Sequence, residues 1–261
     1  MAQGKEVRIL ARRDSPSERL AKQGMATPAE ALIAAGAHPV TGDLRDRPSL
    51  DEAAAGVDVV ITTANSALRG GDDNVETVDL AGNRNLIDAT AAGAQQLIFT
   101  SALGADINSP APFFQAKAAT EQHLRGSGLT YTILAPNLFM DVWAAMIVGL
   151  PALAGQPVTL VGEGLRKHSF VAARDVAAFA MAVAGHPAAV NCTIPIGGPQ
   201  PLSWCDVVAP SSVSWADRSR CTLWRRATQC RAYRPSCWGV LSALRRTIHP
   251  WRWVRSPAPS V

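Results

Sequence analysis

The chain has 261 residues, of which 48% are hydrophobic and 18% are charged, and its formal net charge is +4. This length suits one α/β domain with a small appended lobe, and the apolar fraction is sufficient for a core. The sequence shows no uninterrupted apolar run of about 18 residues, no secretory signal pattern and no paired C-x-x-C spacing, so we expect no spanning helix, a cytoplasmic location and no metal.

Strand-like runs and helical segments alternate along the first half of the chain. The strand-like runs are 6–10, which we predict to be buried, 38–41, 57–62, 97–100 and 131–135. Helices are predicted near 28–35, 48–55, 74–92 and 112–125, and the last of these ends at a glycine cluster. This alternation predicts a parallel sheet with flanking helices.

The second half of the sequence continues with less regular spacing. An apolar helix over 138–149, a helix over 174–184 and the start of another over 201–208 are predicted. Strand-like runs lie at 157–161, 168–171 and 191–196. We assign residues 138–208 to a small substrate lobe within a domain that covers residues 1–208.

Polar residues follow two of the predicted strands. Ser101 comes directly after the run 97–100, and Pro136 and Asn137 follow the run 131–135. Lys117 lies early in the intervening helix. Because ligands bind at the carboxyl ends of strands in an open parallel sheet, these positions indicate a nucleotide-cofactor site.

The order and spacing of these segments resemble the NmrA-like, atypical branch of the short-chain dehydrogenase/reductases. The matching segments are 6–13, 40–46, 57–67, 79–94, 95–141 and 161–180, and the resemblance covers roughly residues 1–208. It implies a Rossmann-like, doubly wound parallel sheet that binds NAD(P)(H).

The family's opening strand and glycine-rich turn are missing from the start of this sequence. The chain begins MAQGKEVRIL, which looks like the end of the first helix followed by the second strand. We therefore expect an N-terminally truncated sheet. Because the missing strand is central in the doubly wound order, its absence would leave two unpaired strand edges and remove the main phosphate cradle.

Two arginines, Arg12 and Arg13, follow the first strand-like run. A basic residue here accommodates the 2′-phosphate of NADP, whereas an acidic residue binds the ribose of NAD. NADP(H) is therefore favoured over NAD(H). The resemblance further places cofactor-binding residues after the next two strands, namely Asp43, Leu44, Thr63, Ala64 and Asn65.

Ser101 and Lys117 have the offset of the family's catalytic serine and lysine. The family's usual general acid, a tyrosine four residues before the lysine, is replaced by Phe113, which has no proton to give. Lys117 is therefore expected to bind the nicotinamide ribose or to donate a proton itself.

The resemblance places Pro136, Asn137 and Phe139 in the loop over the nicotinamide. Phe139, with Met140 and Trp143, would then line an apolar pocket for a small apolar or planar substrate. Phe170 and His168 are expected near the same pocket.

Residues 209–261 differ sharply in composition from the rest. They contain ten arginines, no lysine, one acidic residue and five of the seven tryptophans, whereas the other 208 residues have 15 basic and 20 acidic side chains. We interpret them as a tail outside the fold, of the kind that a shifted reading frame in a GC-rich gene produces. A nucleic-acid-binding arm and a membrane-surface segment are the alternatives.

The sequence thus predicts an NAD(P)H-dependent oxidoreductase that transfers hydride to a quinone-like or other conjugated small molecule. One alternative is a non-catalytic dinucleotide-binding redox sensor that regulates a protein partner. Another is an inactive truncated remnant, and a nucleic-acid-binding protein built on the basic tail is the least favoured.

Overall fold

The computed structural model describes residues 5–12, 29–67, 69–160 and 162–208. Its strands are β1 (Arg8–Ala11), β2 (His38–Thr41), β3 (Val59–Thr62), β4 (Gln96–Thr100), β5 (Tyr131–Pro136), β6 (Lys167–His168), β7 (Cys192–Ile196) and β8 (Leu202–Ser203). Its helices are α1 (Ala29–Ala34), α2 (Arg47–Ala54), α3 (Val75–Gly82), α4 (Asn83–Thr90), α5 (Pro112–Gly126), α6 (Met140–Gly149), α7 (Leu150–Leu153), α8 (Ala173–Val183) and α9 (Trp204–Val208), with a 3₁₀ turn at Pro187–Ala189.

The described strands form three sheets. A four-stranded sheet has the order β3-β4-β5-β7, and β3 runs parallel to β4 with Val59 opposite Gln96. A separate parallel pair, β1-β2, places Arg8 opposite His38, and β6 pairs with β8 in antiparallel fashion. The parallel sheet with flanking helices confirms the predicted Rossmann-like fold.

The chain divides into two compact units. Of the described residues, the first comprises those up to residue 133 together with 189–192, and the second comprises those of 134–188 and 193–208. In the first unit every residue of β4 is buried, and its core cluster combines Ile87, Leu97, Phe99, Leu124 and Ile133. In the second unit the core cluster is Val148, Val158 and Leu160, against which Trp204 packs.

A capped π-helical segment, α3, begins the long helical stretch of the first unit. The Asn74 side chain accepts hydrogen bonds from the backbone N–H groups of Glu76 and Thr77, both at 3.0 Å, and the Thr77 hydroxyl accepts from the Asn74 N–H. At Gly82, the end of α3, a side-chain carbon would lie 2.9 Å from Leu44 Cβ. The glycine therefore lets the helix approach the loop after β2.

Several predicted elements differ in the structure. The first strand begins at Arg8 rather than residue 6 and is not buried, because β2 is its only neighbour among the described strands. The single helix predicted over 74–92 is a π-helical segment followed by an α-helix.

The predictions of two strands in the second unit are also wrong in part. Residues 157–160 form no strand; Val158 and Leu160 are apolar because they pack in the core cluster. Of the run 168–171, only His168 lies in a paired strand, while Val171 forms an isolated bridge with Phe139. Arg13 and the tail, 209–261, lie outside the described residues.

Candidate active site

The ammonium group of Lys117 lies at the carboxyl ends of β3 and β4. It donates hydrogen bonds to the carbonyl oxygens of Ala64 at 3.3 Å and Thr100 at 3.4 Å, and it lies 3.5 Å from Asp79 Oδ1. Helix α5 begins with Pro112, whose fixed backbone suits the first turn, and carries Lys117 into this position. Only 2% of the residue is exposed.

Two aromatic rings complete the surroundings of this ammonium group. It lies 5.0 Å from the centre of the Phe99 ring and 5.5 Å from that of Phe113, within the range of cation–π attraction. Phe113 thus contacts the lysine from the position where the family's tyrosine is expected. It offers a π face and no exchangeable proton.

Burial lowers the pKa of Lys117 below its ordinary value of 10.5, because an apolar environment disfavours the charged form. The carboxylates of Asp79 and Glu121 oppose this effect and favour the ammonium. A lysine whose pKa is lowered in this way releases a proton more readily than a surface lysine.

A fully buried carboxylate, Asp79, holds the lysine in place. Its Oδ2 atom accepts hydrogen bonds from the backbone N–H of Ser66 at 2.9 Å and from the Ser66 hydroxyl at 2.6 Å. The Thr120 hydroxyl donates to the Asp79 carbonyl oxygen. Helices α3 and α5 and the loop after β3 are therefore joined by one polar network.

Asn83, one turn after Asp79, extends the network. Its side-chain N–H group donates to the carbonyl oxygens of Val78, Asp79 and Ala64, and its Oδ1 atom accepts from the Thr62 hydroxyl at 3.2 Å. These bonds fix the loop whose Ala64 carbonyl contacts Lys117.

Ser101 is buried, and its hydroxyl donates to Glu121 Oε1 at 2.5 Å. The other oxygen of Glu121 accepts from Arg125 at 2.7 Å. Ser101 and Lys117 both lie near Glu121, but the serine hydroxyl is directed at the carboxylate rather than at the lysine. Beside Ser101, the buried Thr100 Oγ1 atom has no hydrogen-bond partner within the described part of the chain.

Arg12 belongs to a charged cluster at the carboxyl ends of β1 and β2. Its guanidinium binds both oxygens of Asp73, at 2.8 and 2.7 Å, and lies 3.3 Å from Asp43. Arg45 forms hydrogen bonds with Asp43 through its backbone and its side chain, and this contact lowers the pKa of the Asp43 carboxyl.

The predicted cofactor residues of the first unit largely share one cavity of about 520 Å³. Those that line it are Arg12, Asp43, Leu44, Thr63 and Ala64. The Leu44 side chain also packs against the core cluster of Leu50, Ala54 and Ala89. Asn65 instead stabilises its own turn, since its side chain bonds the backbone of Thr63 and Ala67.

The remaining predicted residues belong to the second unit. The Asn137 N–H donates to the Ile196 carbonyl oxygen, and its side chain accepts from the Leu138 N–H. Pro136 is buried, whereas Phe139 is half-buried, and Met140 and Trp143 are exposed.

Phe170 and His168 lie within the second unit. The Phe170 ring packs edge-on against Trp204 with 5.0 Å between ring centres. Burial, and then the charge of Arg166, lower the pKa of His168. Phe170 is therefore a core residue of this unit.

Sequence reasoning missed four polar residues that complete the site, namely Asp73, Asp79, Asn83 and Glu121. One signal was present: Asp79 and Asn83 are four residues apart and therefore lie on the same face of a helix. Glu121 likewise follows Lys117 by four residues. Asp73 lies in a loop and carried no such signal.

Comparison with known proteins identifies the family. An NAD(P)H-binding family matches residues 2–187. An NAD(P)H azoreductase of Xenophilus azovorans is 29% identical over 211 residues, which are 80% of this chain and 68% of the azoreductase. A phenylcoumaran benzylic ether reductase of Pinus taeda is 28% identical over 174 residues, which are 63% of this chain and 53% of that protein.

Solved structures show the same fold. An NADPH-dependent quinone oxidoreductase of Escherichia coli, in complex with NADPH, aligns with a TM-score of 0.59 at 21% identity, covering 84% of this chain and 69% of its own. The chain belongs to the NAD(P)H-binding family, and its reductase relatives support the predicted NmrA-like class. It spans about half to two thirds of the length of the relatives named here.

The described ranges contain no helix that is long and apolar enough to cross a bilayer. No group of three or more His, Cys, Asp or Glu residues in those ranges could hold a metal ion.

Proposed function

We propose that this chain is an NAD(P)H-dependent reductase of quinone-like or other conjugated, planar small molecules, and that it prefers NADP(H). The observation that carries the proposal is the buried Lys117 ammonium at the carboxyl ends of β3 and β4, which is where an open α/β sheet binds its ligand. A buried titratable group with a perturbed pKa at such strand ends is a candidate for catalysis.

The residues of the first unit fit a dinucleotide. The Lys117 ammonium offers a hydrogen-bond donor for the nicotinamide ribose at one strand end. Asp43 and Leu44 would lie beside the adenine, and Arg12 would bind a 2′-phosphate in competition with Asp73. When bound, NAD(P)H would supply the hydride for the reduction.

Lys117 would hold the proton that completes the reduction. A quinone that takes up one hydride becomes a hydroquinone anion, which then takes one proton. The Nζ atom of Lys117 is the proton donor in this proposal, because its lowered pKa favours proton release and Phe113 has none to give. Asp79 orients the ammonium and stabilises its charge.

The loop after β5 and the apolar residues of the second unit are proposed to form the substrate lobe. Asn137 and Phe139 follow β5 directly, and Met140 and Trp143 expose apolar surface that suits a planar substrate. Pro136 would set the direction of this loop, since proline fixes the backbone at the strand end.

A non-catalytic dinucleotide sensor is the second candidate. Two observations favour it: Phe113 occupies the general-acid position, and the Ser101 hydroxyl is bonded to Glu121. Such a protein would bind NADPH in its closed network without turning over an acceptor.

The test is NADPH oxidation by the full chain with the quinone menadione as acceptor, followed by the loss of nicotinamide absorbance. Lys117→Met should lower kcat by about 100-fold, within the usual range for a general acid. Lys167→Met removes an exposed lysine and serves as the matched control, for which we expect an unchanged rate. NADPH binding without turnover in the wild type would favour the sensor, and an unchanged rate in Lys117→Met would refute the proposed role.

A further inference from the structure

A second buried carboxylate, that of Glu121, lies on the same helix as Lys117. The two residues are four positions apart in α5 and therefore lie on the same face of the helix. Both are buried, since Lys117 is 2% exposed and Glu121 is 8% exposed. Acidic residues are seldom fully buried unless they are paired, so the partners of Glu121 indicate what it does.

Each oxygen of the Glu121 carboxylate has its own hydrogen-bond donor. The Oε1 atom accepts from the Ser101 hydroxyl at 2.5 Å, and the Oε2 atom accepts from Arg125 Nη2 at 2.7 Å. The carboxylate of Asp79, by contrast, directs its Oδ1 atom at Lys117, 3.5 Å from Nζ. Asp79 is therefore the direct partner of the ammonium group, whereas both oxygens of Glu121 are held by other side chains.

Ser101 connects Glu121 to the strand end that binds the lysine. Its neighbour in the chain, Thr100, is the last residue of β4 and contributes the carbonyl oxygen that accepts from Lys117 at 3.4 Å. The Ser101 hydroxyl itself is already used in the bond to Glu121. This bond therefore ties the carboxyl end of β4 to the helix that carries the lysine.

The charges around Lys117 favour its ammonium form against the effect of burial. Burial lowers the pKa of Lys117, whereas the negative charges of Asp79 and then of Glu121 raise it. Helices α3 and α4 pack against α5; α3 contributes Asp79, and Asp88 of α4 pairs with His123 at 2.6 Å. Strand β4 contributes no charged side chain. Glu121 is thus a second negative charge that acts on the ammonium group.

The guanidinium group of Arg125 is placed to offset part of the Glu121 charge. Its Nη2 atom lies 2.7 Å from Glu121 Oε2, and the arginine side chain is 41% exposed. Arg125 follows Lys117 by eight residues in α5, which is about 12 Å along the helix axis. At that distance and in contact with solvent, its own repulsion of the ammonium group is largely screened. Arg125 therefore acts on Lys117 mainly through Glu121.

We propose that Glu121 is a positioning residue for Lys117 and that Arg125 tunes its effect. Through Ser101, Glu121 holds the end of β4 against α5, and its charge helps to keep the lysine in the protonated form. Arg125 limits this help by neutralising part of the charge. For the reaction, this inference rests on the proposed role of Lys117 as proton donor, because the protonated lysine is the form that can complete the reduction.

The test follows the titration of Lys117 by NMR in the full chain, without nucleotide or acceptor. The sequence contains four lysines, so carbon-13 labelling at the lysine Cε gives few signals, and Lys117→Met identifies the signal of Lys117. Glu121→Gln removes the charge with little change of shape and should lower the titration midpoint, whereas Arg125→Gln should raise it. Arg174→Gln removes another exposed arginine, in the second unit, and should leave the midpoint unchanged.

Opposite shifts in Glu121→Gln and Arg125→Gln distinguish tuning by charge from a loss of structure. Shifts in the same direction, or no shift in either variant, would overturn the proposal. So would a fall in Ser101→Ala as large as that in Glu121→Gln, since Ser101→Ala keeps the carboxylate. Circular dichroism shows whether each variant is folded, and Arg125→Gln, at an exposed side chain, tests the proposal by itself if Glu121→Gln is not.

The menadione assay separates this inference from the reductase proposal. If Lys117 is the proton donor, the pH above which kcat falls should move with the midpoint in each variant. Midpoints that shift as expected support the tuning of Lys117 by Glu121 and Arg125. A kcat that does not follow them would refute Lys117 as the proton donor, not its tuning.

Discussion

The surroundings of Lys117 and the strand pair β1-β2 belong to the same unit, yet they differ in how they are held together. Around Lys117, the side chains of Asp79, Asn83 and Glu121 each have partners on more than one element. By contrast, β1 and β3 each have only one sheet neighbour among the described strands.

The two regions are also built by different parts of the chain. The network around Lys117 is made by β3, β4, α3, α4 and α5, all of which follow residue 58. β1 and β2 contact the rest of the unit through Arg8, through the Arg12–Asp73 ion pair and through the loop after β2, where the Leu44 carbonyl accepts a hydrogen bond from Asn85. The network around Lys117 and these contacts can therefore be altered by different mutations.

The largest expected effect on stability comes from breaking the buried ion pair. Lys117→Met leaves the Asp79 carboxylate buried with only the Ser66 bonds, and should lower the free energy of unfolding by about 3–5 kcal/mol. The double variant Asp79→Asn/Lys117→Met removes both charges and should recover a large part of this loss without recovering activity. Urea denaturation measures the free energy of unfolding of the single and the double variant. Additive losses would show that the two residues are not coupled.

The second prediction compares the cost of a substitution in the buried strand β4 with that of one in the edge strand β3. Leu97→Ala in β4 creates a cavity in a fully buried position and should cost about 2–5 kcal/mol. Ile61→Ala in β3 removes a side chain that is already half in contact with solvent, and should cost less than about 1 kcal/mol. Comparable losses in urea denaturation would mean that Ile61 is covered in solution.

The smallest expected effect is a dependence of stability on pH. The folded chain has a lower pKa at Lys117 than the unfolded chain, because burial disfavours the ammonium. Between the lowered pKa and 10.5 the unfolded chain binds more protons, so this group's contribution to stability rises with pH across that window. Below the lowered pKa both states are protonated and the penalty is complete.

The stability of the wild type should therefore rise relative to Lys117→Met as the pH is raised toward 10.5. Urea denaturation of the two proteins at a series of alkaline pH values measures the difference. A difference that stays constant with pH would show that the pKa of Lys117 is the same in the folded and unfolded chains.

The sequence predicted those features of the fold that depend on local pattern. The strand runs at 97–100 and 131–135 and the helix over 112–125 are close to the observed β4, β5 and α5, since apolar runs and glycine boundaries mark them. The strand predicted at 157–161 is wrong over residues 157–160, because the burial of Val158 and Leu160 in a core cluster produces the same apolar pattern as a strand.

The candidate site was predictable only in part. Lys117 and Ala64 were expected near the cofactor, and the structure brings them into contact. The bonds from Ser101 to Glu121 and from Arg12 to Asp73 join residues 20 and 61 positions apart, and only tertiary packing determines such pairs. The roles of Ser101, Arg12 and the residues of the second unit remain predictions for mutagenesis.

The most direct test of the proposed cofactor site, on which the reductase proposal depends, is a thermal melt of the full chain with NADPH, with NADH and without nucleotide. A ligand that binds only the folded state at 100 times its Kd stabilises the protein by about 2.7 kcal/mol and so raises its Tm. We predict a cooperative transition that shifts upward with NADPH and less with NADH. A cooperative transition that neither nucleotide shifts would contradict the account, because the network around Lys117 would then be structural only.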